Sequence, residues 1–156
     1  MSHFNPAFQN QIIASLPTAD YQRLEPHLEF VSLSLGQVLY EPREPITHIY
    51  FPLKALVSLI RPVNHSSSKF GLVGNEGLVG FPALLGGEST ISRAVVQLAD
   101  GALKIDAKIL KSEFDRGGML QKQILLYLQL FITQTAQNAA CRVHHSIEAR
   151  LARWFL

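Results

Sequence analysis

The pattern of hydrophobic and polar residues divides this chain into three zones. Residues 1–28 hold short apolar groups at helical spacing, which Pro17 and Pro26 interrupt. Over residues 29–107 the apolar residues come in short, strand-like runs that turn-forming residues separate. From residue 108 to 156 the spacing is helical again. We therefore expect short helices, then a β-rich unit, then a helical end.

The first zone contains typical helix starts. Asn5 and Pro6 have the residue types of an N-cap and a first helical position. Thr18 is the expected cap of the next helix, which Pro26 ends.

The middle zone predicts a small barrel or jelly roll. Residues 64–68 form a polar turn, and Asp100-Gly101 is typical of a β-hairpin. Many short strands with turns between them favour this architecture, so the predicted fold class is α+β. The strand-like runs are residues 30–35, 38–40, 49–51, 55–60, 70–73, 92–98 and 103–106.

One long helix dominates the third zone. After a short helical segment at 108–114 and a Gly117-Gly118 break, residues 119–143 contain no Gly or Pro. Such a helix extends about 37 Å, and its two apolar stripes need two partners, the barrel and a second copy of the chain. The stripes are Ile124, Tyr127, Leu128, Phe131 and Thr135 on one side, and Leu125, Ile132, Ala136, Ala139 and Val143 on the other.

The last residues predict a separate element. His144-His145 has the character of a hinge, Ser146 that of a new N-cap, and residues 147–156 that of an amphipathic helix. That helix ends on apolar residues, which predicts the first helix of a further domain. We therefore divide the chain into 1–143 and 146–156.

Composition narrows the function. The 156 residues, 47% hydrophobic and 17% charged, fit one folded domain. The net charge of +2 gives no whole-chain basic field for nucleic acid. The single cysteine, Cys141, excludes a disulfide framework and a multi-cysteine zinc site. Without a long apolar run or a secretory signal, we expect a cytoplasmic protein.

Catalytic and metal motifs are absent from the sequence. His144 and His145 would point about 100° apart on a helix and would not chelate one metal. No His-x-His, His-Glu-x-x-His or Gly-x-Ser-x-Gly motif occurs. Cys141 lies on the long helix, where a buried or interface thiol is the usual role. We expect no metal site and no enzymatic activity.

A glycine-rich segment, residues 74–87, precedes Arg93. Small residues let backbone N–H groups approach an anion, and the start of a short helix adds a positive end. Arg93 would supply a bidentate clamp. Tight turns and a surface arginine explain the same residues equally well, so both interpretations stay open.

The order of these features resembles the sensor half of Crp/Fnr-type bacterial transcription regulators, which carry a cyclic-nucleotide-binding domain. The resemblance covers essentially the whole chain. It implies a cyclic-nucleotide-binding-domain-like β-roll with short N-terminal helices and a long C-terminal dimerisation helix at 119–143. The matching features, in order, are the leading helices, the opening roll at 35–45, Ile49-Tyr50-Phe51, the glycine-rich cassette with Arg93-Ala94, the long helix, and 147–156 as the first helix of a DNA-binding domain.

The cassette departs from the nucleotide-binding members at one acid. Those members carry a Glu that accepts the ribose 2′-OH, whereas Phe81 follows Gly80 here. An unpaired 2′-OH costs about 1–3 kcal/mol, or roughly ten- to a hundredfold in affinity. Glu76 and Glu88 are candidate substitutes, although neither holds the matching position. A single cysteine also excludes the iron–sulfur cluster that some members use.

The resemblance implies a ligand-sensing, dimerising domain whose small anionic effector, such as cyclic AMP or cyclic GMP, shifts the packing of two long helices. The alternative is a degenerate, ligand-free roll that acts as a dimerising protein-interaction module. We expect a homodimer, DNA contact only through a domain after residue 156, and no membrane partner. The expected effector contacts are Gly80, Phe81, Pro82, Ala83, Arg93, Ala94 and Thr135. The expected dimer contacts are Ile124, Tyr127, Leu128, Phe131, Thr135 and Asn138.

Overall fold

The structure, a computed structural model, describes residues 5–87 and 89–155, with side chains as far as residue 140. Short helices come first, two antiparallel sheets next and a long helix last. This order confirms the three zones of the hydrophobic pattern.

Asparagine side chains organise the N-terminal helices. Asn5 accepts a backbone N–H as the predicted cap, whereas Thr18 is the first residue of its helix and makes no cap. Asn10 is fully buried and donates to the main-chain oxygens of Pro52 and Gly77, both at 2.9 Å. These bonds tie the helices to the roll. The elements are a 3-10 helix at Pro6–Gln9, α1 (Gln11–Ala14), α2 (Thr18–Leu24) and a 3-10 turn at Glu25–His27.

The strands are β1 (Glu29–Leu33), β2 (Val38–Tyr40), β3 (His48–Pro52), β4 (Leu56–Val63), β5 (Ser66–Val73), β6 (Arg93–Leu98) and β7 (Asp100–Asp106). They form a three-stranded sheet in the order β1-β7-β3 and a four-stranded sheet in the order β2-β6-β4-β5. Because most neighbours are not consecutive in the chain, the strands wind into a roll.

Two turns differ from their predictions. β6 pairs with β2 and β4, whereas β7 pairs with β1 and β3. The chain therefore changes sheets before Asp100, and the predicted Asp100-Gly101 hairpin was wrong. The Gly101 carbonyl instead accepts the backbone N–H of Leu53 at 3.0 Å. The polar turn predicted at 64–68 is shorter, because β5 already begins at Ser66.

Two helices complete the chain. α3 (Ala107–Asp115) is capped by Asp106, and α4 (Met119–Phe155) is one helix of 37 residues, about 55 Å long. The predicted break with a cap at Ser146 was wrong, because the helical backbone continues through it. The side chains of the predicted hinge and of Cys141 lie outside the described residues. Assignment of 146–156 to a separate domain stays a prediction.

No described helix is both long and apolar enough to cross a membrane.

The stripe of α4 that was predicted to meet a second copy packs instead on this chain's own roll. Ile124, Tyr127, Leu128 and Phe131 are buried in the core of this chain's own roll, so they do not form a free face for a second copy. Of the other predicted dimer contacts, Thr135 is half-buried and Asn138 is exposed. Over residues 119–140 of α4, the large apolar side chains that are exposed are Leu125, Leu126, Leu130 and Ile132, with exposed fractions of 46%, 47%, 62% and 66%.

Candidate functional site

Two glycines let α4 lie directly on the inner side of the roll. A Cβ at Gly71 in β5 would lie 2.9 Å from the ring of Phe131, and a Cβ at Gly77 would overlap the ring of Tyr127. No larger residue fits without a shift, so the two ring contacts require glycine at both positions. The inner side of the roll that faces α4 is therefore filled by aromatic side chains.

The Tyr127 hydroxyl is a polar point in this apolar interior. It is buried and has no hydrogen-bond partner among the described residues. Burial raises the pKa of Tyr127 well above its ordinary value, and nearby Glu76 and Tyr40 add to the shift. Burial also raises the pKa of Tyr40, partly offset by a hydrogen bond with Ser92. A buried donor without an acceptor is uncommon in folded proteins.

The cassette predicted to contact an effector forms a tight turn and a 3-10 helix at Phe81–Leu84. Gly80 has a φ of +106°, and a Cβ there would lie 3.1 Å from the main-chain oxygen of His48. Phe81 packs edge-on against Phe131, with ring centroids 5.7 Å apart. Gly80 therefore shapes the turn, while Phe81 fills space beside α4.

The other predicted effector contacts on this side are dispersed. Ala94 is fully buried in the core, and the main-chain oxygen of Pro82 accepts the N–H groups that close the turn. Ala83 lines a cleft of about 570 Å³ on the α3 side of the cassette. Thr135 is half-buried on α4, one turn after Phe131. The structure brings Phe81 and α4 together but does not gather these residues around one ligand position.

Arg93 does not face the interior. It opens β6, where Ala94 and Val96 are buried, and strand alternation places Arg93 and Val95 on the opposite face. Its guanidinium makes a bidentate pair with Glu41, with Nε–Oε1 at 2.7 Å and Nη2–Oε2 at 3.0 Å. Hydrogen bonding to Glu41 raises the pKa of Arg93 above its ordinary value. Arg93 therefore clamps a carboxylate of its own chain in this structure, and its predicted role as the clamp of an effector anion stays a prediction.

The interior holds little polar chemistry. Among the described residues the buried polar side chains are Asn10, Ser58 and Ser92, and none carries a formal charge. Glu76, one candidate substitute acid, is exposed and accepts the N–H of Gly74 at 3.1 Å. Glu88, the other, lies outside the described residues. Within the part that is described, no group of three or more His, Cys, Asp or Glu residues could hold a metal.

Sequence reasoning missed Gly71, Gly77 and Glu41. A glycine inside a strand signals close approach of another group, so Gly71 carried a readable signal. Glu41 carried none, because only the pairing of Tyr40 with Ala94 brings it beside Arg93, 52 residues away.

No protein-family model and no curated protein matches this chain. Solved structures do. A CooA mutant from Carboxydothermus hydrogenoformans is 11% identical, with a TM-score of 0.70 over 100% of both chains. The c-di-GMP responsive global regulator CLP of Xanthomonas campestris is 15% identical, with a TM-score of 0.68 over 80% of this chain and 63% of that one.

A cyclic nucleotide-binding domain from Methylobacillus flagellatus is 12% identical, with a TM-score of 0.66 over 93% of this chain and 97% of that one. Identities this low establish the fold alone. The resemblance read from the order of motifs and the match between backbones agree on that fold. The chain has the β-roll fold of a Crp/Fnr-type cyclic-nucleotide-binding domain.

Proposed function

We propose that this chain is the ligand-sensing and dimerisation domain of a Crp/Fnr-like transcription regulator. Two copies associate along α4, and DNA contact belongs to a domain that begins at about residues 146–156. The fold and the likeness to the regulator CLP support this role.

The exposed apolar face of α4 carries the proposal. Among the side chains of α4 that are described, Phe131 is the last in the core, and the helical backbone continues to Phe155. Two neighbouring pairs make up this face: Leu126 and Leu130, four residues apart and 47% and 62% exposed, and Leu125 and Ile132, seven residues apart and 46% and 66% exposed. Large apolar residues grouped on one helix face favour association with another helix. A second α4 offers the same apolar face, which makes a symmetric pair self-complementary.

Sedimentation equilibrium of the purified chain tests the dimer. Leu130→Glu places a charge on the proposed interface and should raise the dimer dissociation constant at least about tenfold, since burying an unpaired charge costs more than about 1.4 kcal/mol. Ser112→Glu adds the same charge at an exposed position on α3 and should leave the dimer unchanged. A monomeric wild-type chain would contradict the proposal.

The second part of the proposal is the effector that the roll would bind. The interior face that meets α4 is occupied by Tyr127 and Phe131, with Phe81 beside them, and Arg93 lies on the outer face. A phosphate placed in that interior would meet no buried cation among the described residues, and burial without a partner is costly. This observation favours a second candidate, a ligand-free roll that acts as a dimerising protein-interaction module.

Calorimetric titration with cyclic AMP and cyclic GMP separates the two candidates. Binding tighter than about 100 μM would support the ligand-sensing role. Absence of heat at millimolar nucleotide would support the ligand-free module and exclude these two effectors. Arg93→Ala identifies the position of any binding, because an interior site should be insensitive to a residue on the outer face.

A further inference from the structure

A cleft lies where three turns of the roll meet, next to the loop that leads into Arg93. The turn after β2, the β4–β5 turn and the loop before β6 enclose a cleft of about 570 Å³. No residue of the Phe81–Leu84 helix or of α4 lines it. Its lining residues are Pro42, Arg43, Arg61, Pro62, Val63, Asn64 and Ile91.

The cleft contains two arginines that have no counter-ion in the part of the chain that the structure describes. Three arginines with described side chains, Arg23, Arg93 and Arg116, pair with carboxylates. Within the described residues, Arg43 and Arg61 have no ion-pair partner. Of the two acids within two residues of Arg43 in the sequence, Glu41 is already bound by Arg93, and Glu44 does not line the cleft. Two guanidinium groups in one cleft therefore favour an anion that the described residues do not supply.

The backbone holds Arg43 in place. Its φ of +67° is in the left-handed region, which non-glycine residues seldom adopt. Pro42 restricts the turn on one side, and the Arg43 N–H donates to the main-chain oxygen of Thr90 at 2.7 Å. The ion pair between Glu41 and Arg93 ties the chain two residues before Arg43 to β6. Such strain persists where the surroundings enforce it, and it is frequent in ligand-binding segments.

We infer that this cleft binds a small phosphorylated molecule. A planar guanidinium matches phosphate oxygens in bidentate geometry, and two of them neutralise a dianion. Val63 and Ile91 are 46% and 57% exposed and provide apolar wall for the organic part of the ligand. The volume lies within the usual range of small-molecule sites. The site is separate from the roll interior, and the inference is independent of the dimer proposed above.

The test is a titration of the full chain with three probe anions at about 50 mM salt, in which NMR chemical shifts report binding. Phenyl phosphate carries both a phosphate and an apolar ring, inorganic phosphate lacks the ring, and benzoate lacks the phosphate. We expect phenyl phosphate to bind most tightly and benzoate least, with shifts at Val63, Ile91 and the two arginine Nε–H groups.

Arg43→Gly is the informative variant. It removes one guanidinium, and glycine accepts a positive φ, so the turn keeps its conformation. Loss of charge-assisted hydrogen bonds should lower the affinity for phenyl phosphate about ten- to a hundredfold. Arg61→Gln should have a similar effect. Arg116→Gln, which removes an exposed arginine at the C-terminal end of α3, should have none.

Three results would overturn the inference. The first is that no probe, at millimolar concentration, changes the chemical shifts of the cleft residues. The second is that benzoate binds as tightly as phenyl phosphate, which would leave no role for the phosphate. The third is that Arg116→Gln weakens binding as much as Arg43→Gly, which would mean that overall charge, not the cleft, attracts the anion. Each result leaves the dimer of α4 untouched.

Discussion

The two faces of the four-stranded sheet carry opposite kinds of side chain. On the inner face, Leu59 and Ala94 pair across neighbouring strands, and Phe131 of α4 covers Gly71. On the outer face, Arg93 is neutralised by Glu41. Adjacent residues of a strand point to opposite faces. Arg93 and Ala94 therefore cannot both direct their side chains at one ligand, and a shift of one residue decides whether the guanidinium faces the interior of the roll or its outer surface.

Removing the inner ring contact should have the largest effect. Phe131→Ala deletes a buried ring that touches Gly71 and Phe81, which should lower the free energy of unfolding by about 3–5 kcal/mol. Urea denaturation at fixed protein concentration measures it. Leu85→Ala truncates a side chain that is 54% exposed and should cost less than about 1 kcal/mol. Equal losses in the two variants would mean that α4 does not close the roll.

Gly77→Ala tests the packing of α4 on the roll by changing the roll instead of the helix. The added methyl group overlaps the Tyr127 ring, so stability should fall by about 1–3 kcal/mol. Gly118→Ala is the matched control, because no atom lies within 4 Å of a Cβ there. Combining Gly77→Ala with Tyr127→Leu should recover part of the loss, since residues in contact are not additive. Strict additivity would contradict the contact.

Much of the fold could be predicted from the sequence, because the change of period from helix to strand and back is a local property. The sheet partners could not. Asp100-Gly101 has the composition of a hairpin, yet β6 and β7 lie in different sheets. Which α4 stripe meets the roll was equally hidden, since both stripes are apolar. The answer depends on Gly71 and Gly77, two distant positions that accept a ring.

The candidate site was harder to predict for the same reason. Glycines, a proline and an arginine at the expected spacing suggested a cradle for an anion. Their spacing does not fix the face of β6 that Arg93 occupies, and burial of Ala94 and Val96 settles it in the structure. Composition alone also could not indicate that Glu41 would meet Arg93.

Tyr127→Phe separates the hydroxyl from the ring. At neutral pH, loss of a buried donor without an acceptor should leave stability unchanged or raise it by up to about 1 kcal/mol. The folded chain raises the pKa of Tyr127, whereas unfolded tyrosine ionises at about pH 10. Below about pH 10 the Tyr127 hydroxyl is protonated in both the folded and the unfolded chain, so its ionisation does not affect the free energy of unfolding. As the pH rises from there towards the folded-state pKa, the unfolded chain ionises first, and the free energy of unfolding falls.

The measurement is urea denaturation between pH 9 and pH 11. Above about pH 10 the wild-type chain should lose stability by up to about 1.4 kcal/mol more per pH unit than Tyr127→Phe. A slope remains in the variant, because Tyr40 and Tyr50 also have raised pKa values. Identical slopes in both proteins would show that the Tyr127 hydroxyl is solvated or partnered.

The outer face should give the smallest effect. The Glu41–Arg93 pair is short and bidentate, but both side chains are about one-third exposed, so water and salt screen it. Glu41→Gln should lower the thermal midpoint by less than Gly77→Ala does. In 1 M salt most of the difference from the wild-type midpoint should disappear, because the electrostatic screening length shortens to about 3 Å. Glu44→Gln removes the same charge from the same turn, and no ion pair of Glu44 occurs among the described residues, so it should not change the midpoint. If Glu41→Gln lowered stability as much as Phe131→Ala does, the ion pair would be a main support of the roll from its outer side. The contrast between a strongly stabilising apolar inner face and a weakly stabilising charged outer face would then not hold.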